Sequence, residues 1–356
     1  MPLSYDRQKD HIAGLVQKQL ALKKANGEVI DPSHDWFPHL NNVSQLAPVF
    51  AKKLGYSEQD QFLSFIPGAT HDLTRFKGED SAVSDEAIAA EETRKLLRSS
   101  RRNGIVEINS PQMAAIQSAI LRHSKAPDWL FDPTKRNLMP SKRADRLYLA
   151  LFEADHVEAN GPYLVARRSQ FVGGTRMQPG DTPEDQGDLY KKGYRKGQEL
   201  QVVAMEGIIR QSLRNPKTMQ PDVLRPILDP LYQVQEAYFT GNVKALGVSL
   251  ESLAEEIYDQ GMATGNRNIS NAPKNPTELV QRFSEITGIT NQTIEQAPVG
   301  LADASKEAIE FFSSQPNTNL LTLIRSWKPK TDQGAIWHDQ MLDYIDGHWV
   351  KRLQVA

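Results

Sequence analysis

Val43-Ser44-Gln45-Leu46-Ala47-Pro48-Val49-Phe50-Ala51-Lys52-Lys53-Leu54 is the stretch that decides the fold class. Val43, Leu46, Ala47, Phe50, Ala51 and Leu54 recur at steps of three and four, the apolar stripe of an amphipathic helix. The same period returns on both sides, with no alternating strand pattern and no internal repeat. Ser57 is placed to cap a following helix that carries Phe62, Phe65 and Ile66 and runs towards His71. Ser84 before Asp85 and Glu86 opens another, with acidic residues suited to a helix N-terminus. Ser110-Pro111 reads as a cap followed by proline at the first helical position, and Ser141 precedes a stripe through Leu147, Leu151 and Ala154. Further helices are expected over 200–213, 223–238, 243–258, 276–286, 302–312 and 336–353. Polar, Gly/Pro-rich stretches at 173–187 and 265–276 interrupt the series. The sequence thus predicts an all-α protein, with a helical core over residues 1–175 and additional C-terminal helices over 176–356, either packed on that core or separate.

The composition narrows the function. The chain has 356 residues, with 42 Lys+Arg against 44 Asp+Glu and a net charge of −2. At ~150 residues per domain the length suits about two domains. A near-neutral chain lacks the basic excess of an electrostatic nucleic-acid binder. The basic cluster Lys191-Lys192-Gly193-Tyr194-Arg195-Lys196 reads as a solvated helix start. With no cysteine, disulfides, thiolate zinc sites, iron–sulfur clusters and cysteine nucleophiles are excluded. The N-terminal residues carry no apolar signal region, and no run approaches the ~18 apolar residues of a membrane span. A cytoplasmic protein without membrane attachment is expected. Gly173-Gly174 lacks the continuation of a P-loop, and no Gly-x-Ser-x-Gly elbow supports a serine hydrolase.

Candidate chemistry centres on histidine. Five of the eight histidines fall between positions 34 and 156, near expected helix ends or on helical stretches. His71-Asp72 follows an apolar helix and precedes a polar loop, which puts an imidazole and a carboxylate where a helix meets a cleft. Such a mixed nitrogen–oxygen pair suits Mn, Fe, Co, Ni, Zn or Mg. The dipeptide alone decides little, because His34-Asp35 and His338-Asp339 repeat it. His338-Asp339 reads as a helix-packing segment. His39, at the start of the preceding helix, and Asp155, late in the helix after Ser141, are the best partners for His71 and Asp72.

In that order the residues resemble the HD-domain metal-dependent phosphohydrolases, an all-helical superfamily whose pattern is His, then His-Asp, then a distant Asp. His39-Leu40-Asn41-Asn42-Val43 opens one helix, and Ala69-Thr70-His71-Asp72-Leu73-Thr74-Arg75 closes the next. Ile116 to His123 is similar to an intermediate helix ending in histidine, and Leu151 to Gly161 to the motif carrying the terminal Asp. His34-Asp35-Trp36, Val165-Ala166-Arg167 and Gly173-Gly174 resemble features of one branch of small members. The likeness spans about residues 10–175; Asn42 and Thr74 depart from the usual Arg and Gly.

The resemblance implies an HD-domain-like bundle in which His39, His71, Asp72 and Asp155 bind a divalent metal ion. It implies hydrolysis of a phosphomonoester or nucleotide-like substrate by metal-activated water. Asp72 would orient the water or take its proton, and Arg75 would neutralise charge developing on the phosphate. His123 is either a ligand for a second metal, a substrate contact or a polar helix-end residue. His34 and Arg167 are weaker candidates for the second metal or for substrate. The expected partner is a small phosphorylated molecule. The alternative is an inactive HD domain that binds a nucleotide or a protein as a regulatory module.

Overall fold

The computed structural model describes residues 3–26, 39–74, 84–124, 142–158, 239–255, 275–297, 299–314 and 320–345, with single positions between 182 and 236. The described secondary structure is entirely helical, as the period predicts, and contains no strand. The chain divides into two compact units. The described helices up to Glu158 belong to the first and those from 239 to Ile345 to the second. The expected boundary at 175 lies outside the described residues.

The first unit contains α1 (Tyr5–Ala25), α2 (Asn41–Lys53), α3 (Glu58–Thr70), α4 (Asp85–Arg102), α5 (Ser110–Arg122) and α6 (Arg143–Glu158). Helix α3 is buried without a break from Phe62 to Thr70, and all five other helices pack against it. A helix stretch buried on every side belongs at the centre of a bundle. Its closest neighbour is α2, and Gly68 makes the approach possible: a Cβ there would lie 2.8 Å from Ser44 Cα and 2.9 Å from the Val43 carbonyl oxygen. Leu46, Phe50, Phe65 and Ile66 fill the core around this contact, with Ile116, Ile120, Leu147 and Leu151 from α5 and α6.

The helix ends follow local chemistry. Ser57 and Ser84 cap α3 and α4 as expected, each side chain accepting from a backbone N–H three residues on. At α5 the cap is Asn109 rather than Ser110. Asn109 Oδ1 accepts from Gln112 N at 2.9 Å while Asn109 N donates to Gln112 Oε1 at 2.8 Å, a reciprocal box that serine one residue later cannot complete. Helix α1 was not anticipated. Its buried stripe is Gln8, Ile12, Val16 and Leu20, one residue per turn and partly polar, too narrow to stand out in the sequence.

In the second unit the helix expected over 243–258 breaks after 246. Gly247 adopts φ 64°, and Ser249 Oγ accepts from Ser252 N to start a new turn. Phe239, Val243, Leu250, Leu253, Phe283, Ile289 and Ile294 form its core. Helices Pro276–Thr287, Val299–Ser314 and Asp332–Ile345 occupy the expected regions. Two short helices, Asn291–Glu295 and Leu320–Ser326, are additional. His338 is a packing residue here, its Nε2 donating to the Ile324 carbonyl at 2.8 Å and its ring meeting Trp327 edge-on. The expected helices at 200–213 and 223–238 and the basic cluster at 191–196 lie almost wholly outside the described residues. No described helix is long and apolar enough to cross a membrane.

Candidate metal centre

The centre is assembled from helix ends. His39 stands at the entry to α2, His71 caps the C-terminus of α3 and Asp72 follows it. His123 caps the C-terminus of α5, and Asp155 and Glu158 lie in the last turn of α6. The C-termini of α3, α5 and α6 therefore meet the N-terminal entry of α2. Because α3 and α5 direct the negative ends of their dipoles at the cluster, the position favours a cation.

His71 and His123 are presented by the same local device. Each closes its helix with φ near −60° and ψ −31°. His71 Nδ1 donates to the Gly68 carbonyl at 3.1 Å, and His123 Nδ1 donates to the Ile120 carbonyl at 2.7 Å. Those bonds go to carbonyls in the last turn of each helix, where acceptors outnumber intrahelical donors. A carbonyl only accepts, so Nδ1 holds the hydrogen and a neutral ring keeps a bare lone pair on Nε2. His39 reaches the same state differently, its Nδ1 donating to Glu158 Oε2 at 2.6 Å.

The Nε2 atoms of His39 and His71 turn towards each other and towards two carboxylates, and that of His123 faces Asp72. His39 Nε2 lies 3.2 Å from His71 Nε2, 3.3 Å from Asp72 Oδ2 and 3.7 Å from Asp155 Oδ1. His71 Nε2 is 3.6 Å from both Asp72 Oδ2 and Asp155 Oδ1. The other oxygen of Asp72, Oδ1, lies 3.6 Å from His123 Nε2. His39, His71, Asp72 and His123 are buried, and Asp155 keeps 19% of its side chain exposed, so solvent meets the cluster at Asp155.

Acceptors gathered in this way are stable only around a cation or with extra protons on the rings. Ligands ~2.0–2.2 Å from an ion stand about 2.8–3.6 Å apart for right-angle to tetrahedral arrangements. The observed separations fall in or just beyond that range. His39, His71, Asp72, His123 and Asp155 could therefore hold a metal ion. The clustered groups also shift one another's ionisation. Burial works to raise the Asp155 carboxyl, but the close approach and charge of His71, with His39 and His123, outweigh it and hold its pKa well below the ordinary range. Burial works to lower the pKa of His123, and the close approach and charge of Asp72, with Asp155, overcome it and raise it.

Of the residues singled out in the sequence, the structure brings together His39, His71, Asp72, Asp155 and His123. His34, Arg75 and Arg167 lie outside the described residues. Glu158 was missed. Its signal was the three-residue step from Asp155, which puts two acids on one face of a helix. The chain was compared with protein-family models, with curated proteins and with solved structures, and none matches. The described residues define an all-α protein with a buried histidine–aspartate cluster able to hold a metal ion, and its chemistry is read from that cluster.

Proposed function

We propose that the first unit is a metal-dependent phosphohydrolase acting on a small phosphorylated substrate such as a phosphomonoester or nucleotide. One observation carries the reading: three imidazole Nε2 atoms, each with Nδ1 already committed, converge with Asp72 and Asp155 at the ends of four helices. The mixed nitrogen–oxygen shell suits Mn, Fe, Co, Ni, Zn or Mg. A divalent ion held by these residues supplies Lewis acidity, lowering the pKa of water and polarising a phosphoryl oxygen. His39, His71, Asp72 and Asp155 are the proposed ligands. Asp72 directs Oδ2 at His39 and His71 and Oδ1 at His123, so one carboxylate can hold the ion and orient the attacking water. His123 joins as a further ligand or as a contact to substrate. The resemblance to HD-domain enzymes supports the same chemistry and adds Arg75 as a partner for phosphate charge.

The test is metal content and phosphatase activity of protein purified without chelator, wild type beside Asp72→Ala. The expected result is bound transition metal with turnover in the wild type, and loss of both in the variant. Bound metal without turnover across a broad phosphoester and nucleotide panel would instead favour a nucleotide- or protein-binding regulatory module. Absence of metal after reconstitution with Mn, Ni or Fe would overturn the centre itself.

A further inference from the structure

We infer that Glu158 is a positioning residue for the proposed centre, acting through His39 rather than as a ligand. The inference rests on the metal-binding reading and concerns how one ligand is oriented. Donor atoms of His39, Asp155 and Glu158 also lie within 4.8 Å of one another, which by itself would make Glu158 a ligand. The hydrogen bond decides against it. Glu158 Oε2 is bound to His39 Nδ1 at 2.6 Å, while His39 Nε2 faces His71, Asp72 and Asp155. The two nitrogens of an imidazole direct their in-plane bonds to opposite sides of the ring. A group bound at Nδ1 therefore stands behind the ring, away from whatever Nε2 faces.

His71 and His123 close helices and bind a carbonyl three residues back, whereas His39, at the entry to α2, binds a side chain from α6 instead. Glu158 fills the role with a charge, in a pair whose side chains are both 0% exposed. A carboxylate behind a ligating imidazole fixes its tautomer and orientation and makes it a stronger donor. Helix α6 thereby supplies a proposed ligand, Asp155, and one turn later the group that aims another.

The experiment measures cobalt(II) affinity by chelator competition, with the visible absorption of the bound ion, in wild type, Glu158→Gln, His39→Ala and the double variant. Glu158→Gln is expected to weaken cobalt(II) binding by about 10–100-fold and to shift the absorption bands. In the His39→Ala background the same change is expected to have no further effect, because the interaction it breaks is gone. An affinity within about twofold of wild type, or an equal loss with His39 removed, overturns the inference while leaving the metal centre standing. A wild type that binds no cobalt(II) overturns both. Should Glu158→Gln fail to fold by circular dichroism, Glu158→Asp, which keeps the charge but withdraws it from Nδ1, takes its place with the same expected loss.

Discussion

Gly68 shows how much rests on single positions. Backbone atoms of Ser44 and Val43 occupy the space a Cβ would need, and they cannot rotate away as a side chain could. Gly68→Ala should force α2 and α3 apart and cost about 1–3 kcal/mol, read as a lower urea midpoint at an unchanged slope. His39 and His71 sit on those two helices, so the variant should also bind metal more weakly. At this scale the sequence was informative where chemistry follows from order. His39, His71-Asp72 and Asp155 stood out as a series, and His123 as the end of a helix. Glu158 did not, because its role depends on a ring 119 residues away. Asn109 took the cap from Ser110 through a reciprocal bond with Gln112 that no single residue announces.

Among the elements, α3 and α6 run side by side in the same direction, held at both ends. Near their N-termini the buried carboxylate of Asp60 accepts from Arg143 Nε at 2.6 Å and from Arg146 Nε and Nη2 at 3.1 and 2.9 Å. Near their C-termini His71, Asp72 and Asp155 meet. The arginine side chains remain 35% and 24% exposed, so screening tempers the interaction. Asp60→Asn should cost about 1–3 kcal/mol, checked by thermal and urea unfolding of the apo-protein. Arg143→Lys, which cannot reproduce the guanidinium fork, should move in the same direction by less. The helices that the sequence announced are those with wide apolar stripes or strong caps, such as α2, α3 and α4. Helix α1 stayed hidden because it buries one residue per turn, and the 243–258 stretch was read as one helix because Gly247 interrupts it without disturbing its apolar period.

For the whole molecule, an all-α architecture was legible from period alone, since helical spacing persists through both units. The close approach of α2 to α3 was not, because packing distance is a property of pairs of helices. An ion that binds only the folded state stabilises it by mass action, by about 2.7 kcal/mol at one hundred times its dissociation constant. The proposed centre therefore predicts a melting temperature that rises with added manganese or nickel and falls back with chelator. Asp72→Ala should abolish that response in differential scanning fluorimetry. The centre also draws its donors from both ends of the first unit's described chain, from His39 near the beginning to Asp155 in its last helix. Closing such a span is slow compared with forming any one helix. During synthesis a chain that has emerged only as far as α5 presents His39, His71, Asp72 and His123, but neither Asp155 nor the Glu158 that steadies His39. Loading of the proposed centre with metal would then wait for α6 to emerge and dock, and a bound ion would report that the bundle has closed.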